Sequence, residues 1–390
     1  MAHGLDGTLV PPDWPPLTML EVRDLLRDFP ELSEPFEILT ISPRPFSAAS
    51  VVATRTGRVF IKRHHRAVRD KAGLTEEHRF MAHLLANGAP VPRVLAAMNG
   101  ETAIERGDWT YEVHGVSDGV DAYGNTLSWT PFRSASHARS AGQALARLHL
   151  AARGFDAPPR RPRPLVAGFS IFAEENAGAA MERFLAARPA LAEDAATRTD
   201  CIEALTALAP FHAELLPLLP SLASLWTHND LHASNLLWSN ESDDARAVAV
   251  IDFGLADRTN AVHDLAVAIE RNIVEWLDLL PASAHQGDVR VHNDHLIALL
   301  DGYEEVRPLS NAEAAALSPM TTLCHAEFAL AEADYFLGVL HSKESAHLCS
   351  SGYLLGHAHW FHSAEGKKLL DAIRGWADGR TVEQRKEIRQ

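Results

Sequence analysis

Hydrophobic positions in the first third of the chain recur in steps of two, the period of a half-buried strand. In GRVFIKRHH, residues 57–65, Val59 and Ile61 fall on one face, and Phe60 and Lys62 fall on the other. We expect a strand here, with its lysine on the face opposite the apolar pair. The chain therefore begins with sheet-forming sequence.

Two further elements follow this strand. The stretch 75–88 places apolar residues at helical spacing and ends at Gly88, a residue type that often stops a helix. The stretch 101–115 alternates on both sides of an Arg-Gly-Asp turn, which predicts a hairpin. Together these patterns predict a small β-rich N-terminal lobe with one helix, over residues 1–112.

From about residue 134 the pattern changes to Ala- and Leu-rich helical spacing. A Pro/Arg stretch at 157–164 is predicted to be a surface loop. SNAE at 310–313 is a Ser-x-x-Glu capping box in front of another Ala-rich helix. We therefore predict an α+β protein with two lobes, in which residues 113–390 form a larger and mostly helical C-terminal lobe.

Charge and composition restrict the function. The formal net charge of −15 argues against a broad nucleic-acid surface, because phosphate backbones are bound by basic faces. The basic stretch at 62–71, KRHHRAVRDK, leaves two interpretations open. It is either a solvated basic face or a patch beside a bound polyphosphate.

The remaining compositional signals predict a cytoplasmic protein without a membrane partner, as a monomer or homodimer. The 3 cysteines form no CxxC pair, which favours a reducing compartment. The first residues lack the basic start and apolar core of a signal peptide. The long apolar stretch 204–226 contains three prolines, which predicts broken helical segments and no membrane span.

Polar residues cluster at the ends of two short apolar runs. NLLW at 235–238 and VAVID at 248–252 are joined by a polar, turn-prone segment, which predicts a hairpin. Asn235 begins one strand and Asp252 ends the other, so both lie at the same end, and Asp230 lies on the loop before them. Oxygen ligands in this order suit Mg²⁺ in a phosphoryl-transfer site.

These motifs carry a resemblance to a known family. HNDLHASN at 228–235, followed by IDFG at 251–254, resembles the His-x-Asp-x-x-x-x-Asn and Asp-Phe-Gly motifs of the aminoglycoside phosphotransferase and choline kinase superfamily. VFIK at 59–62 resembles the lysine strand of that superfamily, and 301–317 resembles the C-terminal helices of its homoserine-kinase-like branch. The resemblance covers about 57–317. It implies a bilobal protein-kinase-like fold and an ATP-dependent small-molecule kinase that uses Mg²⁺.

The resemblance also implies a role for each matched residue. Asp230 would act as the catalytic base that orients the acceptor hydroxyl or accepts its proton. Asn235 and Asp252 would complete the catalytic group by holding Mg²⁺. Lys62 would bind the α- and β-phosphates of ATP, and Glu77 would fix this lysine in place.

Four more residues are predicted to contact the nucleotide. The segment 44–52 stands where protein kinases carry a glycine-rich loop, and it contains no glycine. Its Ser47 and Ser50 are predicted to cap phosphates. Glu112 and His114 belong to the connector between the lobes, whose backbone groups are expected to meet the adenine.

The sequence does not identify the molecule that accepts the phosphoryl group. The homoserine-kinase-like tail favours a small amino alcohol or hydroxy amino acid. An aminoglycoside or a related antibiotic is the alternative, and a nucleotide-binding module without catalysis is a second one. The residues suggested by position as acceptor contacts are Asp257, Arg258, Glu270, Tyr335 and His359.

Histidines suggest one competing interpretation, a transition-metal site. The candidates are His-x-Asp-x-His at 228–232 and HAHWFH at 357–362. Such a site needs three or four converging ligands. Ordinary structural or surface histidines are the preferred interpretation, with His228 in a structural role. Asp264 is expected to brace the catalytic loop without taking part in chemistry.

Overall fold

A five-stranded antiparallel sheet forms the first part of the computed structural model, which describes residues 12–32, 34–279 and 289–387, with side chains up to residue 380. The elements in chain order are α1 (Met19–Leu26), β1 (Pro35–Ile41), β2 (Ala48–Thr54), β3 (Gly57–His65), α2 (Lys71–Ala86), β4 (Ala103–Arg106) and β5 (Trp109–Gly115). The strand order is β1-β2-β3-β5-β4. The predicted strand and hairpin are confirmed. The helix begins earlier than predicted, because Asp70 caps it by accepting a hydrogen bond from the Gly73 N–H.

The rest of the described chain is mostly helical. The helices are α3 (Ala135–Ala152), α4 (Ala177–Ala186), α5 (Pro189–Glu193), α6 (Ala195–Leu215), α7 (Ala261–Ile273), α8 (Asn293–Val306), α9 (Asn311–Leu323), α10 (Ala326–Gly338), α11 (Lys343–His347), α12 (Gly356–Trp360) and α13 (Ala364–Glu387), with a π-helical stretch at Leu348–Leu355. Four short strands pair as β6 (Ser224–Thr227) with β9 (Asp257–Asn260), and β7 (Leu236–Trp238) with β8 (Ala247–Val250). The hairpin predicted for 235–252 is therefore confirmed, as is the capping box at Ser310.

Two hydrophobic cores lie in these two parts. The smaller core packs α1 against the sheet through residues such as Val22, Val52 and Ile61. The larger core fills the helical part. β5 runs through residue 112, so the predicted lobe boundary at that residue falls within a strand and stays a prediction. Within the described ranges, no helix combines the length and the apolar character needed to cross a membrane.

Three local predictions are corrected in part. The apolar stretch 204–226 is broken as predicted, because α6 ends at Leu215 and a short 3₁₀ helix and β6 follow, but α6 continues through Pro210. The Pro/Arg stretch is a loop, but its Arg160 is buried and donates to the carbonyl oxygens of Gly254 and Ala256. Of the two interpretations of the basic stretch, a fully solvated face does not hold, because its Arg69 is buried as well. For both arginines, contacts distant in sequence override the local pattern.

Two glycines let α3 and α8 approach each other closely. A Cβ added at Gly142 would lie 2.1 Å from the carbonyl oxygen of Leu299, and one added at Gly302 would lie 2.1 Å from that of Arg139. No side chain fits at such distances. The contact matters for the site because α3 also carries His149, which supports the catalytic loop described below.

We expect Gly142→Ala to lower the free energy of unfolding by about 1–3 kcal/mol, because the added methyl group forces the two helices apart. Urea denaturation measures this change. Gly375→Ala in α13 is the matched control, because no atom lies within 4 Å of the position its Cβ would take. There the same substitution is expected to stabilise the helix by up to about 1 kcal/mol. Equal urea midpoints for the Gly142 variant and the unaltered protein would contradict the close-packing argument.

Candidate active site

A cavity of about 140 Å³ opens between the sheet and the helical part. Of the residues predicted from the sequence, Ser47, Lys62, Asp230, Asn235 and Asp252 line it. Ser50, Glu77, Glu112 and His114 lie outside its lining. The structure therefore brings together the predicted catalytic residues and the predicted phosphate-binding lysine.

The loop before Asp230 is held by a buried carboxylate. Asp264 is fully buried, and its two oxygens accept hydrogen bonds from the backbone N–H groups of His228 and Asn229 at 2.8 and 2.7 Å. His149 on α3 contacts the same carboxylate at 3.0 Å. Asn229 has a φ of 62°, a conformation that asparagine tolerates better than most residues. The bracing role predicted for Asp264 is confirmed.

Asp230 is surrounded by donors. The Arg271 guanidinium donates to its Oδ1 at 2.6 Å, and the Asn235 Nδ2 donates to its Oδ2 at 3.1 Å. His232 Nε2 lies 3.7 Å from Oδ2. Burial alone would raise the pKa of Asp230, but the charge of Arg271 and the contact with His232 hold it well below the usual range. The carboxylate is therefore ionised at neutral pH and able to accept a hydrogen bond from a hydroxyl group.

Asp252 and Lys62 form an ion pair at the other side of the cavity. The lysine Nζ lies 2.9 Å from Asp252 Oδ1. Burial would raise the pKa of Asp252, but Lys62 lowers it. Burial likewise opposes the charge of Lys62, yet Asp252 and then Glu112 raise the lysine pKa. A hydrogen bond from the Ile251 N–H to the Asn235 carbonyl oxygen, at 2.9 Å, fixes Asp252 beside Asn235 at the end of the β7–β8 hairpin.

The donor set at this hairpin end fits a divalent cation. Asn235 uses its Nδ2 to bond Asp230, which leaves its amide oxygen available as an acceptor. The Asp252 side chain is 40% exposed even though Lys62 contacts one of its oxygens. Carboxylate and amide oxygens are the ligands that Mg²⁺ prefers in proteins.

Glu77 contacts two arginines, where the sequence predicts a pair with Lys62. Its carboxylate lies 4.0 Å from Arg69 Nε and 3.7 Å from Arg160 Nη2. Both arginines also donate to the carbonyl oxygen of Gly254, in the segment that follows Asp252. Glu77 thus holds the arginines that position this segment, and the ion pair of Lys62 is formed with Asp252 instead.

Backbone groups in the segment predicted to meet the adenine are bonded to other backbone groups of the protein. The Val113 carbonyl oxygen accepts from the Leu95 N–H at 2.8 Å, and the Gly115 N–H donates to the Arg93 carbonyl oxygen at 2.9 Å. These backbone groups are therefore already bonded within the sheet region. Ser50, in the middle of β2, is buried away from the cavity.

Most of the residues that line the cavity were not identified from the sequence. Among them are Arg44, Trp129, Arg271 and Phe328. The Arg271 guanidinium lies between the other two rings, 4.0 Å from the Trp129 centroid and 4.6 Å from that of Phe328. A sequence signal for Arg271 existed, because it follows the apolar run LAVAI of α7, and a charged residue on a buried helix needs a partner.

The acceptor contacts suggested from position alone find no support in the cavity, whose lining does not include Asp257, Arg258, Glu270, Tyr335 or His359. The histidines at 357–362 do not converge either. His357 contacts Glu270, His359 contacts Glu203, and His362 contacts the carbonyl oxygen of Ala207. His228 contacts the Ile251 carbonyl oxygen, which confirms its structural role.

Known proteins resemble this chain in sequence. A family model described as "Phosphotransferase enzyme family" matches residues 44–309. A homoserine kinase of Rhodospirillum rubrum is 29% identical over 237 residues, which cover 61% of this chain and 61% of the relative. A homoserine kinase of Methylobacterium radiotolerans is 33% identical over 184 residues, or 47% of each chain. The chain thus spans about three fifths or less of the length of these curated relatives.

Solved structures share the architecture. A microcompartment-associated aminopropanol kinase aligns over 90% of this chain and 99% of its own, with 16% identity and a TM-score of 0.56. An amicoumacin kinase in complex with AMP-PNP, Ca²⁺ and its antibiotic aligns over 87% of this chain and 95% of its own, with 13% identity and a TM-score of 0.53. At these identities the likeness concerns the fold, and it confirms the predicted bilobal, kinase-like α+β architecture.

Proposed function

Because the chain belongs to the phosphotransferase enzyme family, we propose that it is an ATP-dependent kinase that phosphorylates a hydroxyl group of a small molecule. The observation that carries this proposal is the convergence of the Lys62–Asp252 ion pair and the Asp230–Asn235 pair on one cavity. A phosphate-binding cation, a carboxylate for a metal and a separate carboxylate for a hydroxyl are the parts that phosphoryl transfer requires.

Each of these side chains has a separate task in the proposed reaction. Lys62 binds phosphate oxygens of ATP. Asp230 accepts a hydrogen bond from the acceptor hydroxyl and takes its proton as the oxygen attacks the γ-phosphorus and ADP leaves. Asn235 and Asp252 hold Mg²⁺, which offsets the charge of the phosphates when bound. Arg271 keeps Asp230 ionised and oriented through the 2.6 Å hydrogen bond.

One arginine of the cavity supports one acceptor class above the others. The lining carries charges of both signs, and the Arg44 guanidinium already donates to Tyr123, Thr126 and Ser128. Arg271 donates to Asp230 through Nη2, and its planar guanidinium matches a carboxylate in geometry. An acceptor that carries a carboxylate beside its hydroxyl therefore suits the cavity better than a polycationic aminoglycoside. We propose a small hydroxy amino acid, and the names of the homoserine kinases among its relatives favour the same class.

A coupled assay of ATP consumption with Mg²⁺ tests the proposal. The acceptors are homoserine, 3-aminopropan-1-ol and several aminoglycosides, and a thermal shift with Mg²⁺–ATP is recorded beside them. Turnover with homoserine supports the proposed class. Turnover with an aminoglycoside alone replaces it. A thermal shift without turnover favours a nucleotide-binding module. The absence of both a thermal shift and turnover rejects the kinase.

Arg271→Lys is expected to lower the preference for the carboxylate-bearing acceptor. The quantity to measure is the ratio of kcat/KM for homoserine to kcat/KM for 3-aminopropan-1-ol, in which general damage to the site cancels. Loss of a charge-assisted, fork-shaped contact predicts a fall in this ratio of about tenfold or more. Arg258→Lys, at a surface pair with Asp156, is the control and is expected to leave the ratio unchanged. An unchanged ratio in the Arg271 variant would exclude a carboxylate contact at this residue.

A further inference from the structure

Three histidines surround one buried glutamate beside the cavity. Glu112 on β5 is 2% exposed. Its Oε1 lies 2.9 Å from His64 Nε2, and its Oε2 lies 2.8 Å from His78 Nε2 and 2.9 Å from His114 Nε2. The histidines come from β3, α2 and β5, and all are buried. Residues that are distant in sequence thus direct the same ring nitrogen to one carboxylate, His64 to its Oε1 and the other two to its Oε2.

The strand periodicity explains this convergence. His64 and Lys62 share one face of β3, and Glu112 and His114 share the adjoining face of β5, because residues two apart on a strand point the same way. Lys62 pairs directly with Glu112 in the β3–β5 register. α2 covers this face and brings His78 down onto it.

The donor set is that of a transition-metal site. The ligand atoms of His78, Glu112 and His114 lie within 4.8 Å of one another. In a tetrahedral zinc site the ligand atoms lie about 2.0–2.1 Å from the ion and hence about 3.3 Å apart, so only small side-chain movements separate the observed cluster from such a site. Imidazole nitrogens with one carboxylate favour zinc or a similar first-row metal, whereas Mg²⁺ prefers oxygen ligands.

Two surrounding features also match a metal site. The other ring nitrogen of His78, Nδ1, lies 2.8 Å from the Thr102 hydroxyl. Metal-bound histidines regularly donate this second N–H to a neighbouring oxygen, which fixes the ring. His64 lines the cavity, so an ion can enter from solvent at that side chain.

We propose that His78, Glu112 and His114, with His64 as the fourth ligand, bind a first-row transition-metal ion such as Zn²⁺. The ion ties α2 to strands β3 and β5 directly behind Lys62. It is separate from the Mg²⁺ site proposed at Asn235 and Asp252, and it does not depend on the identity of the acceptor.

The experiment uses the full chain, loaded with Zn²⁺ and then freed of loosely bound metal. Elemental analysis gives the zinc content, competition with a chromophoric chelator gives the affinity, and thermal unfolding with and without Zn²⁺ gives the Tm shift. The variants are His78→Gln and His114→Gln, because glutamine keeps an N–H donor for Glu112 while it removes the imidazole ligand. Thr102→Val keeps every ligand and removes only the outer hydrogen bond of His78.

The control is His292→Gln, in the half-exposed group His292, Asp294 and His295, which is the other described cluster of possible ligands. We expect one tightly bound zinc in the unaltered protein and in the control, a loss of affinity of about 10–100-fold in Thr102→Val, and a larger loss in the two histidine variants. Zinc is expected to raise the Tm of the unaltered protein and of His292→Gln equally, to raise that of Thr102→Val less, and to leave the Tm of the two histidine variants unchanged.

Three results would overturn the proposal. One is an unaltered protein that retains no zinc. Another is zinc affinity that survives both His78→Gln and His114→Gln. The third is binding that disappears with His292→Gln, which would assign the ion to the surface cluster. If the histidine variants do not fold, the zinc affinity of Thr102→Val decides, since a variant equal to the unaltered protein counts against the site.

Discussion

Asp230→Asn is expected to lower kcat by about 10²–10⁴-fold with little change in the KM for ATP, because it removes the proton acceptor and leaves the nucleotide contacts in place. Asparagine has nearly the same shape, but its single oxygen can accept from only one of Arg271 and Asn235, which donate to the two oxygens of Asp230. It also has no charge and cannot take the proton of an attacking hydroxyl. Initial rates with the acceptor found in the screen measure the effect.

The same substitution removes the negative partner of a buried arginine. The side chains of Arg271 and Asp230 are only 5% and 16% exposed. Breaking such a pair costs about 3–5 kcal/mol of stability, so urea denaturation must show that the variant is folded under assay conditions. Asp257→Asn is the control, because Asp257 is also a largely buried carboxylate, lies outside the cavity and accepts backbone N–H groups that an amide oxygen can also bind. Its kcat is expected to stay within a few-fold of the unaltered value.

A folded Asp230→Asn protein with a kcat within tenfold of the unaltered value would show that the proton leaves by another route. His232 would then be the next group to test, since it lies 3.7 Å from the same carboxylate and lines the cavity. Its pKa is lowered by burial, so its ring is neutral at neutral pH and available as a base.

Short-range patterns in the sequence predicted strands and hairpins correctly. The alternation in 57–65 and around the Arg-Gly-Asp turn located β3 and the β4–β5 hairpin. The two apolar runs near 235–252 located the β7–β8 hairpin. In each case strand period and turn chemistry act within about ten residues, so neighbouring positions determine the structure. The grouping of Asp230, Asn235 and Asp252 follows directly from that hairpin.

Partners that converge from distant elements could not be predicted in this way. Arg271 is 41 residues from Asp230, and only the packing of α7 against the catalytic loop brings them together. Glu77 was expected to pair with Lys62, and its two arginine partners were not identified. Arg69 and Arg160 reach it from two loops and leave Lys62 to Asp252. A charged residue in an apolar run signals that a partner exists without saying which one.

The residues of β5 illustrate the same limit. Alternation places Glu112 and His114 on one face of the strand, and a family resemblance placed that region beside the adenine. What covers the face depends on α2, whose His78 reaches Glu112 across 34 positions of sequence. The strand pattern therefore shows which residues share this face and gives no information about the helix that covers it.

Asp252→Asn is expected to reduce kcat by about 10²–10³-fold and to raise the Mg²⁺ concentration needed for half-maximal rate, because the amide binds a divalent cation more weakly than a carboxylate. Rates measured over a range of Mg²⁺ at saturating ATP report both changes. A half-saturating Mg²⁺ concentration equal to that of the unaltered protein would show that Asp252 is not a ligand and serves mainly to hold Lys62.

The backbone at Asp252 provides a control within the same position. Its φ of 60° lies in the left-handed region, which asparagine and aspartate enter more readily than other residues with a Cβ. Asp252→Asn therefore keeps the backbone conformation, whereas Asp252→Ala adds a strain of about 1–3 kcal/mol. We expect both variants to lose activity and the ion pair with Lys62, and the alanine variant to unfold at a clearly lower urea concentration than the asparagine variant. Equal stability of the two variants would mean that the strain at residue 252 is relieved locally. The Mg²⁺ dependence of the asparagine variant would still show whether Asp252 is a metal ligand.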